Sequence, residues 1–228
     1  MSEIIASDLA ARIDSTLLKP EATADQIDRL CDEAIQFGFW GVCVNLFWLP
    51  QVVKRLDKTN SQVKAITVVA FPTGAIPTAL KVAQARWALD HGTQEIDMVA
   101  NIGALCGSQA QLVQDDIAAV AEAIHQVSAK RILKVILETA ALTTQQKILG
   151  CQLAAKAGAD FVKTSTGTHP AGGATLEDIA LLAKHAAGMK VKAAGGIKDT
   201  PGALAMLAAG AERIGTSSGP AIVAGLKK

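Results

Sequence analysis

Tyrosine is absent from the 228 residues, and aromatic side chains as a class make up only 4% of them. A core with so little aromatic bulk must be filled by Ala, Val, Ile and Leu, which suits aliphatic helices packed on parallel strands. Cysteine is scarce as well. Cys31, Cys43, Cys106 and Cys151 stand far apart without CxxC spacing, which argues against a structural zinc and for reduced, mostly packed thiols. Runs of like charge are missing and the formal net charge is +1, so neither nucleic acid nor a membrane surface is expected as a partner. The N-terminus lacks a basic segment leading into an apolar stretch, and no apolar run approaches a membrane span. A soluble, cytoplasmic protein is the expectation. Without a Pro/Gly/Ser-rich linker or a composition break, residues 1–228 are expected to form one domain. Ser-His-Asp, HExxH and Walker A patterns are missing too, and no metal or cofactor is expected.

What is present is a repeat. Strand-like apolar runs at 12–16, 41–45, 65–71, 95–99, 132–138, 160–165, 190–194 and 212–216 alternate with amphipathic stretches at 24–37, 49–57, 77–91, 109–128, 143–157, 175–187, 200–209 and 218–226. Several helical stretches stop at a glycine just before the next strand (Gly38, Gly92, Gly158, Gly188, Gly210), where a left-handed cap is cheapest for glycine. A β/α unit recurring about every 25–30 residues fits a (β/α)₈ TIM barrel. An open doubly wound sheet is the alternative, but no glycine-rich dinucleotide turn follows the first strand.

Within the strands, side chains two apart share a face. Ile96-Asp97-Met98, Leu133-Lys134-Val135, Val162-Lys163-Thr164 and Val191-Lys192-Ala193 each set a charge between smaller or apolar neighbours. If the apolar pairs face the helices, Asp97, Lys134, Lys163 and Lys192 point into the barrel, together with Cys43 and Asn45. Desolvating an ammonium without a partner is expensive, so the converging lysines need carboxylates, for which Asp14, Asp97 and Glu138 are available. Unlike charges about 4 Å apart attract by roughly 4 kcal/mol at an effective dielectric of 20. Crowding by other cations and by apolar walls favours a neutral amine, and a neutral amine can attack a carbonyl to form a Schiff base. Lys163 is the candidate, because Thr164 to Gly173 after it read as a ligand-binding loop.

Glycines follow the last two strands, at Gly195-Gly196 and at Gly215-Thr216-Ser217-Ser218-Gly219. Loops in those places commonly hold a phosphate through backbone N–H groups. His91, His125 and His185 read as surface residues, His169 as loop, Cys43 as a packed thiol, and Trp40, Trp48 and Trp87 as packing residues.

The ordered set of segments resembles the deoxyribose-phosphate aldolase family over nearly the whole chain. The carriers are Ile13-Asp14-Ser15-Thr16-Leu17-Leu18-Lys19-Pro20, Val42-Cys43-Val44-Asn45, Val68-Val69-Ala70-Phe71-Pro72-Thr73-Gly74, Glu95-Ile96-Asp97-Met98-Val99 and Leu133-Lys134-Val135-Ile136-Leu137-Glu138-Thr139. They continue with Val162-Lys163-Thr164-Ser165-Thr166-Gly167, Val191-Lys192-Ala193-Ala194-Gly195-Gly196 and Ile214-Gly215-Thr216-Ser217-Ser218. The resemblance implies a class I, metal-independent aldolase that cleaves 2-deoxy-D-ribose 5-phosphate reversibly to acetaldehyde and D-glyceraldehyde 3-phosphate. It makes Lys163 the Schiff-base lysine, Lys192 the lysine that keeps it reactive, and Asp97 the proton relay. Substrate contacts would fall to Asp14, Thr16, Thr166 and Gly167, with Lys134 tuning charge, and phosphate contacts to Gly195, Gly196, Gly215, Ser217 and Ser218. The partners implied are a phosphorylated sugar and small aldehydes, and a homo-oligomer is left open. Another phosphate-binding barrel lyase or isomerase, or a non-catalytic phosphometabolite-binding barrel, is the alternative reading.

Some positions depart from the family pattern. Ser15 stands where many relatives have histidine, Leu46 where proline is common, and Thr168-His169-Pro170 where a lysine or an aromatic-glycine pair often follows Thr-Gly. The C-terminal tyrosine that some relatives use in proton transfer has no counterpart beside Leu226-Lys227-Lys228. These differences bear on substrate preference and rate.

Overall fold

The computed structural model describes residues 4–226, so Lys227 and Lys228 of the C-terminal tail lie outside the described residues. Eight parallel strands pair in chain order and close on themselves: β1 (Ile13–Leu17), β2 (Gly41–Val44), β3 (Lys64–Val69), β4 (Glu95–Val99), β5 (Ile132–Ile136), β6 (Phe161–Lys163), β7 (Lys190–Ala194) and β8 (Arg213–Thr216). The last ladder, between β8 and β1, sets Ile13 opposite Ile214 and Asp14 opposite Gly215. The helices on the outside are α1 (Ala6–Ala10), α2 (Ala24–Phe37), α3 (Leu49–Lys58), α4 (Thr78–Asp90), α5 (Ile102–Cys106), α6 (Ala110–His125), α7 (Thr144–Lys156), α8 (Leu176–His185), α9 (Thr200–Ala208) and α10 (Gly219–Ala224). This is the (β/α)₈ barrel that the repeat predicts. The short α1 and α5, a single turn or so each, escaped the periodicity, which needs two turns to show.

Local chemistry explains where the helices start and stop. Thr23 with Gln26, and Thr143 with Gln146, form reciprocal capping boxes at the N-termini of α2 and α7, satisfying backbone donors that have no partner within the helix. Asp199 accepts from the backbone N–H of Gly202 to start α9. At the other ends, the five glycines read from the sequence as stops all take positive φ. β3 and β5 end sooner than their apolar runs. Ala70 and Glu138 adopt left-handed φ of 55° and 58°, which turns the chain off the ladder, so β3 stops at Val69 and β5 at Ile136.

Alternation then sorts the side chains. Val42, Val44, Ile96, Met98, Leu133, Val135, Val162, Val191 and Ile214 join the large apolar cluster beneath the helices, whereas Cys43, Ile66 and Val68 form a separate small cluster. The parallel registers place the inward residues at defined heights. Asp14, Ile66, Lys134 and Lys192 come from the odd strands and share one layer. The even strands supply Cys43, Asp97, Lys163 and Gly215 one step nearer the C-terminal mouth, and Gly41, Glu95, Phe161 and Arg213 one step farther from it. Three layers of four, contributed by alternate strands, are how such barrels fill. Two of those twelve places are glycines with a physical reason: a Cβ at Gly41 would meet the Ile66 side chain at 2.5 Å, and one at Gly215 would meet Lys192 Cε at 3.0 Å. Branched apolar residues usually dominate such an interior, yet here seven of the twelve positions are charged.

Among the described residues, no helix is long and apolar enough to cross a membrane. Cys31, Cys43 and Cys151 are buried free thiols, and Cys106 is exposed. His91 stacks on Trp87 at 3.9 Å between ring centroids, and His125 meets Asp160 Oδ2 at 3.0 Å. Both are employed on the helical layer, as expected of surface histidines.

Candidate active site

Lys163 ends β6, and its ammonium lies on the floor of a cleft of about 280 Å³ at the C-terminal mouth. The side chain is 3% exposed. Beside it, in the same layer, sits Asp97 from the middle of β4, which is fully buried and joins three amines. Its Oδ1 accepts from Lys134 Nζ at 2.9 Å. Its Oδ2 accepts from Lys163 Nζ at 2.7 Å and from Lys192 Nζ at 2.8 Å. Lys192 also donates to Asp14 Oδ2 at 2.5 Å. The alternation in four different strands thus converges on one carboxylate.

These neighbours treat the three lysines unequally. Burial weighs most on Lys163 and, with Lys192 beside it, outweighs the attraction of Asp97, so its amine is held below the usual lysine value. Burial is also the largest influence on Lys192, but Asp14 and Asp97 together reverse it and push that amine above the usual value. Lys134 is likewise raised against its burial, by Asp97 and Glu95. Burial opposes the ionisation of Asp97, yet Lys134, Lys163 and Lys192 hold its carboxyl well below the ordinary range. The amine with the least carboxylate support is the one that faces the cleft. A neutral amine there is a nucleophile, and the raised, cationic Lys192 beside it favours that form. Cys43 stands in the same layer, but burial, with Asp97 next, pushes its thiol up to about 11. It stays a protonated, packed group at neutral pH, as read from the sequence.

The remaining expected site residues divide between the cleft and the barrel interior. Thr16, Thr166, Gly167, Gly195, Gly196, Gly215 and Ser217 line the cleft. Ser218 does not. It precedes α10, and its backbone N–H donates to Thr216 Oγ1 at 2.9 Å. Asp14 and Lys134 are fully buried one layer below Lys163, paired with Lys192 and Asp97 respectively and away from the cleft. Asn45 is half-buried, and its Nδ2 donates to the Leu18 carbonyl at 3.2 Å.

Glu138, expected to balance the lysines, does not reach them. The left-handed backbone at this residue turns the carboxylate toward the loop after β6, where Thr166 donates to it through both its backbone N–H and its hydroxyl. The balancing carboxylate is instead Glu95, whose Oε2 lies 2.5 Å from Lys134 Nζ. Arg213 was missed as well: its guanidinium donates to Asp14 Oδ1 at 3.0 Å. The signal that could have found both is the alternation carried one step toward each strand's start, since Glu95 precedes Asp97 by two residues and Arg213 precedes Gly215 by two.

The cleft also presents Lys19 and Lys198 on its rim, both exposed, which suits an anion above the glycines. Gly195, at φ 92°, approaches Gly173 so closely that a Cβ on Gly173 would stand 2.3 Å from the Gly195 carbonyl oxygen. The loops after β6 and β7 therefore pack backbone against backbone, leaving amides free to face a ligand. A second hollow, of about 460 Å³ between Phe47, Leu80 and Trp87 on the helical layer, has no titratable lining residue and offers no chemistry.

Known proteins share both the sequence and the shape. The profile of the DeoC/LacD family aldolases matches residues 9–225. A deoxyribose-phosphate aldolase from Thermococcus gammatolerans is 50% identical over 225 residues, covering 98% of this chain and 99% of that one. Among solved structures, a putative deoxyribose-phosphate aldolase from Coccidioides immitis superposes with a TM-score of 0.91 at 40% identity, over 97% of this chain and 86% of that one. The deoxyribose phosphate aldolase of Aeropyrum pernix, described as a tetramer of unique structure, gives 0.88 at 32% identity, over 96% of this chain and 91% of that one. With a barrel of this shape, a buried lysine at its mouth and similarity of this extent, the chain belongs to the DeoC/LacD family of aldolases.

Proposed function

We propose that the protein is a deoxyribose-phosphate aldolase, cleaving 2-deoxy-D-ribose 5-phosphate reversibly to acetaldehyde and D-glyceraldehyde 3-phosphate through a Schiff base on Lys163. The observation that carries this reading is the single depressed amine at the floor of the cleft, 2.7 Å from Asp97 and flanked by the raised amine of Lys192.

Neutral Lys163 attacks C1 of the open-chain aldehyde, and loss of water gives an iminium. That cation draws the electrons of the C2–C3 bond as the C3 hydroxyl gives up its proton, releasing D-glyceraldehyde 3-phosphate. Asp97 Oδ2, shared by the amines of Lys163 and Lys192, provides the path along which that proton leaves and returns. The enamine left on Lys163 is protonated at C2 and hydrolysed to acetaldehyde, regenerating the amine. No metal is needed, because the iminium supplies the electron sink. The phosphate rests on the amides of Gly167, Gly195 and Gly196 with Ser217, and Lys19 and Lys198 on the rim add positive potential. The charge of Lys134 and Lys192 lies close by, which keeps a further ammonium at Lys163 unfavourable.

Release of acetaldehyde from 2-deoxyribose 5-phosphate, followed with a coupled alcohol dehydrogenase, tests the reading directly. Turnover is expected without added metal and in the presence of a chelator. Tight binding of the sugar phosphate without aldehyde release would favour a binding protein instead. A second measurement addresses the phosphate loops. Gly173→Ala pushes the loop after β6 away from Gly195, and it is expected to raise KM for the phosphorylated sugar about tenfold, the loss of one hydrogen bond to a charged group. Its kcat should change less, since Lys163 and Asp97 lie on strands that the loop does not move.

A further inference from the structure

The charges sealed inside the barrel do not balance when all are ionised. Four are cations, Lys134, Lys163, Lys192 and Arg213, and three are anions, Asp14, Glu95 and Asp97. No other titratable group joins them except the protonated thiol of Cys43 on β2. Glu138 is taken up by Thr166, and Lys19 and Lys198 stand out on the exposed rim. The elements around Lys163 therefore present Cys43 from β2, Glu95 and Asp97 from β4, Lys134 from β5, Lys192 from β7, Arg213 from β8 and Asp14 from β1.

A buried net charge is strongly disfavoured, and one proton must be surrendered for the interior to be neutral. Arginine cannot give one up. Lys134 has Glu95 at 2.5 Å and Asp97 at 2.9 Å, and Lys192 has Asp14 at 2.5 Å and Asp97 at 2.8 Å. Lys163 alone has a single carboxylate, already shared with the other two. The fourth cation is what makes the interior one positive charge too rich, and it is the one farthest from the cleft. Arg213 lies in the lowest layer, its guanidinium 4.1 Å over the Trp40 ring and within 3.0 Å of Asp14 and 3.5 Å of Glu95. Trp40 in turn donates from Nε1 to Glu95 Oε1 at 2.7 Å, so the floor is fixed from below.

We propose that Arg213 and Glu95 are positioning residues of opposite sign that set the proton affinity of Lys163 from the floor of the barrel, through Asp14 and Lys134, without touching substrate. This rests on the Schiff-base reading of Lys163. Removing the arginine leaves three lysines with three carboxylates, so Lys163 keeps its proton to higher pH. Removing Glu95 leaves four cations with two carboxylates, so Lys163 loses its proton at lower pH.

The rate of acetaldehyde trapping by cyanoborohydride, followed by intact mass against pH, reads this directly, because acetaldehyde has no titrating group of its own. In Arg213→Met the acid limb of the profile is expected to move about one unit toward alkaline pH, roughly a tenfold slower reaction at a fixed pH on that limb. Glu95→Gln is expected to move it the opposite way. Arg213→Lys should keep the wild-type limb, and the double variant Arg213→Met, Glu95→Gln should return to it. A purely structural role would lower the amplitude and leave the limb in place. Single variants that shift in the same direction, or not at all, overturn the proposal. Should Arg213→Met fail to fold, the acid-ward shift in Glu95→Gln decides alone. An untrapped wild-type protein would instead defeat the Schiff-base reading itself.

Discussion

Lys163→Met is expected to abolish covalent labelling by acetaldehyde and borohydride and to lower kcat by about 10⁴-fold or more, the scale at which losing a covalent nucleophile registers. Methionine matches the length of the lysine stem and removes only the reacting nitrogen, so the wall of the cleft survives. It also removes a hydrogen bond from Asp97, whose other partners, Lys134 and Lys192, remain at 2.9 and 2.8 Å. The fold should therefore persist, and a circular dichroism melt near that of the unaltered protein would show that the loss is chemical. Peptide mapping of the labelled wild-type protein adds an independent check, with the added mass expected on the peptide carrying Lys163. A label on Lys134 or Lys192 would contradict the geometry, because both amines are fully buried and held by two carboxylates each. The pH dependence has a definite sign. An amine held below its ordinary value keeps a larger neutral fraction at any given pH, so trapping should continue into a more acidic range than free lysine allows.

Much of this was legible in the sequence, because alternation in a parallel strand is a local property. Ile96-Asp97-Met98 or Val191-Lys192-Ala193 declares which side chain faces inward whatever its neighbours do, and the glycines that precede strands declare where the helices stop. Height within the barrel is another matter. Asp14 reads as a substrate contact by resemblance, but the ladder sets it opposite Gly41 and Gly215, one layer below Lys163 and bonded to the amine of Lys192. Which strand residue shares a layer with which depends on the register of all eight strands together, and a single strand carries no trace of it. Glu138 failed for a different reason. A left-handed conformation is cheap for glycine and unusual for glutamate, so nothing in Leu137-Glu138-Thr139 announces that the chain turns there and aims the carboxylate at Thr166. Glu95 and Arg213 were readable in principle, by the same alternation that found Asp97, and were missed because they start their strands.

Asp116→Ala is expected to have the largest effect on stability, about 3–5 kcal/mol, although it lies wholly outside the cleft. Asp116, on α6, is 2% exposed and accepts from Lys81 Nζ at 2.6 Å, and Lys81, on α4, is fully buried and also donates to the Val99 carbonyl at 3.0 Å. Thr78 Oγ1 donates to the other carboxylate oxygen at 2.8 Å. The pair thus ties two helices to the end of β4, two residues beyond Asp97. Removing one member of a buried ion pair strands its partner, which is why the cost exceeds the net worth of the pair. For a chain of this size the melting temperature should fall by about 10 °C. Burial already holds Lys81 below its ordinary value of 10.5, and without Asp116 it is lowered further. The folded state then binds fewer protons than the unfolded one across the interval up to that value, and stability rises with pH wherever the unfolded state binds more. The variant should accordingly regain part of its melting temperature as the pH rises toward the ordinary lysine value of 10.5, where the unaltered protein gains less. Replacing both partners, Lys81→Met with Asp116→Leu, leaves no stranded charge and is expected to cost much less than Asp116→Ala alone. If the single variant melted within about 2 °C of the unaltered protein at neutral pH, water would have to reach Lys81, and the packing of α4 against α6 would be looser than these distances describe.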